Sequence, residues 1–143
     1  MFLTTDELKT VSTVAVVNLI TNNQTEIVDE VIEENIDLMK SYLFKYYDTE
    51  AIFAAAGDER SKIVLKHLKT LVIFDLYQIR RKDITPEMEM KWDRAMEWLT
   101  KISKGDIEAD LPRKQVDTDG DGTPDANSTF MKLGSRKNYK NHW

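Results

Sequence analysis

The chain has no cysteine, only two histidines, three prolines and five glycines in 143 residues. Without cysteine there can be no disulfide, no thiolate metal ligand and no cysteine nucleophile. The glycines form no phosphate-cradling loop, and Gly120 and Gly122 stand among carboxylates that would repel phosphate. His67 falls inside an apolar helical pattern, and His142 lies beside Trp143. Neither has a serine or carboxylate partner at a recognisable spacing, so hydrolytic triads and histidine metal centres find no support. A long hydrophobic run is also missing. The apolar patch at residues 11–20 is too short and too interrupted to span a bilayer, so no membrane association is expected. MFLTTDELK has no basic stretch leading into an apolar core, so no secretory signal is expected either.

What is present suits one domain: a length of 143 residues and a hydrophobic fraction of 41% can build a real core. The net charge of −5 is unevenly spread. Residues 1–112 hold 14 basic and 21 acidic side chains, whereas residues 113–143 hold 6 basic and 4 acidic ones. The last 13 residues carry four Lys/Arg and no acid. An acidic body argues against broad binding to a nucleic-acid backbone, with the basic end a local exception.

The clearest element is a helix over residues 85–105 with both ends written in. Thr85 can cap its start, and Pro86 suits the first helical position, where a missing N–H costs nothing. Glu87 and Glu89 fall in the first turn, Lys101 and Lys104 in the last, and Gly105 is a left-handed stop. Met88, Trp92, Ala95, Met96, Leu99 and Ile102 repeat at three- and four-residue steps, one stripe facing a core. A second helix is predicted over residues 26–47, with Val28, Val31, Ile32, Ile36, Met39, Leu43 and Tyr46 on one side and acids mostly on the other. A third, over residues 59–81, is apolar on a wide face from Ile63 to Ile79 and is therefore central. Arg80-Arg81-Lys82 reads as its C-terminal cap in preference to a phosphate site.

The links are less determined. Thr4 or Thr5 can cap a short helix at residues 6–10. Residues 11–20, rich in β-branched side chains, fit a strand or a buried helix equally, and residues 21–23 read as a break. Residues 48–58 read as a loop or a short helical turn. The expected fold is all-α: a small antiparallel helical bundle over residues 1–112, followed by an extended C-terminal arm over residues 113–143. No internal repeat is visible.

The arm contains an acidic loop. Asp117, Asp119, Asp121 and Asp125 fall at positions 1, 3, 5 and 9 of a calcium loop, Gly122 takes position 6, and Thr123 offers its carbonyl at position 7. Ser128 stands where a helix-flanked loop carries a bidentate glutamate, so the pattern is nearer the short DxDxDG loops of dockerin-like and thrombospondin-like repeats. The loop is read either as calcium-binding, stiffening the arm, or as a solvated acidic turn. No cofactor is required, and calcium is the one the sequence admits. A partner interface is expected at Met90 and Trp98, which fall outside or at the edge of the core stripe. Phe130, Met131, Leu133, Arg136, Lys137, Tyr139 and Trp143 add apolar and cationic anchors along the arm.

These segments also carry a family likeness. The TTDEL start at residues 4–8, DLMKSYLFKYY at 37–47, LVIFDLYQIR at 71–80 and AMEWLTKISKG at 95–105 occur in an order that resembles the tailed-phage head–tail connector (neck or adaptor) family of Mu-like prophages. The resemblance covers about residues 1–112. It implies a structural virion protein without catalytic residues, assembled in the bacterial host cytoplasm. Such proteins form a ring, commonly of twelve copies, below the portal protein, present a surface to tail or neck proteins, and meet DNA only as cargo passing through. The alternative class is a calcium-dependent protein-binding module, which the single Asp loop supports. A helical regulator binding nucleic acid through residues 80–82 and the basic end is disfavoured by net charge.

Overall fold

The computed structural model describes residues 2–11 and 25–115. It is all-α, as expected: four α-helices, two short 3-10 turns and, among the described residues, no strand beyond an isolated bridge between Tyr47 and Arg113. The helices are α1 (Thr25–Leu43), α2 (Thr49–Ala54), α3 (Lys62–Ile79) and α4 (Pro86–Lys104). No helix of the described residues is long and apolar enough to cross a membrane.

Each long helix buries the side its periodicity dictates. In α1 the buried positions are Val28, Val31, Ile32, Met39 and Leu43; in α4 they are Ala95, Leu99 and Ile102, with Met88, Trp92 and Met96 packed against them. α3 buries Val64, Leu68, Leu71, Val72, Ile73 and Leu76, a broad band in keeping with its wide apolar face; each of the three long helices packs against the other two. The wide apolar face does not extend to its ends: Ile63 and Ile79 are exposed. Phe74 stacks on Trp92, and His67 on Trp98, so α3 and α4 run antiparallel. The end of α1 lies beside the end of α4, since a Cβ on Gly105 would meet the Tyr46 hydroxyl oxygen at 3.2 Å. The bundle is therefore up–down–up, with α1 and α4 parallel.

The one buried polar side chain among the described residues is Asn35. Its amide donates to the Val31 carbonyl at 3.0 Å and to the Asp75 carboxylate at 2.7 Å, so the group that would otherwise be costly to bury ties α1 to α3.

The ends follow local chemistry. The Thr85 hydroxyl accepts from the Met88 N–H at 3.3 Å, with Pro86 opening the helix. Residues 48–58 contain a true helix, α2, because the Asp48 carboxylate accepts from the Ala51 N–H at 3.0 Å. Helix α1 stops at Leu43, four residues before the expected end. Tyr46 and Tyr47 instead pair with the returning chain: Lys114 N–H donates to the Tyr46 carbonyl at 3.1 Å, Asp48 N–H to the Pro112 carbonyl at 2.9 Å, and Ala109 N–H to the Tyr47 hydroxyl at 3.0 Å.

Helices α3 and α4 end in the same hydrogen-bonded turn with different residues. After α4, Gly105 and Asp106 N–H donate to the carbonyls of Ile102 and Lys101, with Gly105 at φ 80°. After α3, Arg81 and Lys82 N–H donate to Gln78 and Tyr77, with Arg81 at φ 49°. A side chain in that left-handed region is strained where glycine is not. Arg81→Gly is expected to stabilise the fold by about 0.5 kcal/mol, the relief of strain being partly offset by unfolded-state entropy and loss of a cation at the helix C-terminus. Thermal denaturation checks it; a lower melting temperature would show that the cation outweighs the strain.

Candidate partner interface

The N-terminal segment is fastened to the bundle by one ion pair whose two residues lie 53 positions apart. Arg60 donates from Nη2 to Glu7 Oε1 at 2.6 Å and from Nη1 to Glu7 Oε2 at 3.0 Å. The same guanidinium donates to the carbonyls of Phe2 at 2.6 Å and Gly57 at 2.9 Å. Glu7 also accepts from the N–H and hydroxyl of Thr4, at 3.0 and 3.1 Å. The pair is mostly covered, with 15% of the arginine and 27% of the glutamate side chain exposed. Its effect is to hold Phe2, Leu3 and Leu8 in the core, with the Phe2 ring edge-on to Phe53 at 5.0 Å.

The hydrogen bonds from Arg60, helped by those from Thr4, hold the Glu7 carboxyl at a pKa of about 2, well below its ordinary 4.5. A carboxyl depressed in this way contributes stability that is present above its unfolded pKa and is lost as pH falls through the folded one. Stability is therefore expected to drop by about 2 to 3 kcal/mol between roughly pH 5 and pH 2 on account of this group. Chemical denaturation of the wild type and Glu7→Gln across that range checks it. An equal fall in the variant would mean that other carboxylates carry the effect.

The remaining perturbed groups also have structural causes. Burial, and then the neighbouring Lys66, lowers the pKa of His67, whose ring lies 4.6 Å from that of Trp98. Glu87 and Glu97 lie lower through hydrogen bonds from Lys91 and Lys101 one helical turn on. Among the described residues, no group of three or more His, Asp or Glu side chains is placed to hold a metal.

The surface itself offers scattered apolar side chains. Met90 is 50% exposed on the outer side of α4, as its position off the core stripe predicts. Trp98 is half-buried, and one face of it is taken by His67. Leu38 on α1, and Phe44, which is 58% exposed just beyond the helix end, likewise lie off the buried stripe of that helix. A groove of about 290 Å³ lies between α3 and the start of α4, lined by Val11, Ile73, Phe74, Tyr77 and Met88 among others. The outer side of α1 is acidic: Glu26, Glu30, Glu33, Glu34 and Asp37 are exposed. Asp117, Asp119, Asp121, Thr123 and Asp125 of the acidic loop lie outside the described residues. So do Phe130, Met131, Leu133, Arg136, Lys137, Tyr139 and Trp143 of the arm, and residues 12–20 of the apolar patch.

No curated protein and no solved structure matches the chain. A family of phage proteins does, from residue 2 to residue 127, which takes in the whole described bundle and continues through the acidic loop, beyond the 1–112 span of the sequence resemblance. With that match over most of its length, the chain belongs to the family described as Bacteriophage Mu, Gp36.

Proposed function

We propose that this phage protein is a structural component of the virion that acts without catalysis: a head–tail connector whose copies form a ring below the portal protein and join the capsid to tail or neck proteins. The family membership carries this reading. The bundle is consistent with it in chemistry. Its perturbed ionisable groups serve caps, ion pairs and packing, and its exposed apolar side chains at Phe44, Ile79 and Met90 suit contacts between subunits. A ring needs two different surfaces on each copy, one meeting the other around the circle. The acidic body suits a channel wall that lets DNA pass without holding it. In this reading the chain is made in the host cytoplasm and resides at the head–tail junction. The acidic loop, with Asp117, Asp119, Asp121, Thr123 and Asp125, takes calcium weakly and stiffens the arm.

Light scattering tests the proposal, with the protein alone and with purified portal, each in calcium and in chelator. A closed ring, or a monomer recruited to portal in fixed ratio, is the expected result. A monomer indifferent to portal whose shape changes sharply with calcium would replace the connector with a calcium-dependent binding module.

A further inference from the structure

The outer face of α1 is exposed and strongly polarised, and among the described residues no other element covers it. From residue 25 to residue 39 there is no lysine or arginine, and Glu26, Glu30, Glu33, Glu34 and Asp37 all face solvent. Among the described residues no cation lies within ion-pair distance of any of them; the ion pairs of the fold fall elsewhere. On α4 two of the four acids are neutralised in place, Glu87 by Lys91 and Glu97 by Lys101, each at 2.7 Å. On α1 the acids instead stand four apart from one another, as Glu26–Glu30, Glu30–Glu34 and Glu33–Asp37 do, a spacing that destabilises a helix. Leu38, and Phe44 just past the helix end, are exposed beside it, with Lys40, Ser41 and Lys45 in the same last turns.

The last described residues lie at one end of this helix. Lys114 is hydrogen-bonded to Tyr46, and Arg113 bridges to Tyr47, so the arm leaves the bundle at the C-terminal end of α1, beside Phe44. Residues 131–143 carry four Lys/Arg and no acid, interleaved with Met131, Leu133, Tyr139 and Trp143. The arm's four aspartates all precede residue 126.

We propose that in the unassembled protein residues 132–143 dock on the outer face of the same chain's α1, cations over the glutamates and apolar side chains over Leu38 and Phe44. The dimensions suit an intramolecular contact. Sixteen residues separate the last described position from residue 132, and an unstructured chain of that length spans roughly 22 Å on average. The distance along α1 from Leu43 back to Glu30 is about 20 Å. A tether whose span matches the separation gives the highest effective concentration, so weak charge pairing is enough to hold the segment there. The contact keeps the arm's anchors covered until a partner competes for them. It does not depend on the identity of that partner or on ring formation.

The test uses the full chain at low concentration without portal. Since the protein has no cysteine, Asn141→Cys accepts a single nitroxide label, and paramagnetic broadening of backbone amides reports what lies near it. The expected result is loss of more than half the signal at Glu30, Glu34 and Leu38, with Lys101 on α4 unaffected. The signal should return at 1 M salt, where the screening length is about 3 Å. It should also return in Glu30→Lys/Glu34→Lys, whose helical content is checked by circular dichroism. Broadening seen only when label and isotope are on different chains would overturn the proposal in favour of a second copy, and no broadening on α1 would overturn it outright. Persistence in the charge variant would remove the pairing on which it rests. Because portal is absent, failure here leaves the connector reading standing, and failure of the light-scattering test leaves this contact standing.

Discussion

Leu68→Ala is expected to remove about 3 to 5 kcal/mol of stability and to lower the melting temperature by about 10 °C. Leu68 is fully buried near the middle of α3, which packs against α1 on one side and α4 on the other. Truncating it loses the transfer free energy of the buried carbons, and a cavity remains that helices held on two sides cannot easily close. Against a total stability of order 5 to 15 kcal/mol, such a loss leaves little margin. Ile63→Ala is the matched control, on the same helix but 43% exposed. It should cost less than about 1 kcal/mol. Denaturant titrations of both variants separate the outcomes; similar losses would mean that the centre of α3 is looser than its burial implies.

Arg60→Ala is expected to cost about 3 kcal/mol, and to do so locally as well as globally. Removing one member of a covered ion pair leaves the other charge desolvated and poorly matched. Here Glu7 would keep only the hydrogen bonds from Thr4, and the Phe2 and Gly57 carbonyls would lose a shared donor. Amide exchange at residues 2–11 should accelerate more than exchange in α3. Arg60→Lys should recover little, because an ammonium cannot serve both carboxylate oxygens and two carbonyls in a plane. Paired with Glu7→Gln, the double variant should lose less than the sum of the singles, since both break one network. Strict additivity would show that the two residues act separately.

Local chemistry is why α4 could be read so completely. Cap, proline, acidic first turn, basic last turn and left-handed glycine all lie within its own 21 residues, and each appears where expected. The buried stripe of α1 was legible for the same reason, but its end was not. The chain leaves the helix at Leu43 to pair Tyr46 and Tyr47 with residues 109–114, a contact more than sixty positions away that no periodicity contains. Arg60 had been placed within the third helix; it precedes that helix and faces Glu7. The burial of Asn35 depends on Asp75, forty positions away, being set opposite it. At the candidate interface, the exposure of Met90 followed from its place off the stripe, whereas the covering of Trp98 by His67 required two helices to be placed side by side. Phe44, also off its helix's stripe, is exposed as that position implies.

The three hydrogen bonds that join residues 109–114 to residues 46–48 have a mechanical consequence. Traction applied to the arm is borne first by the junction between α1 and α2, where Tyr46 and Asp48 hold Lys114 and Pro112. Only after those bonds part does the load reach the C-terminal turn of α4. The attachment therefore divides the load, so a pull from the arm's end meets a few backbone bonds at the end of α1 and the buried Leu111 before it reaches α4.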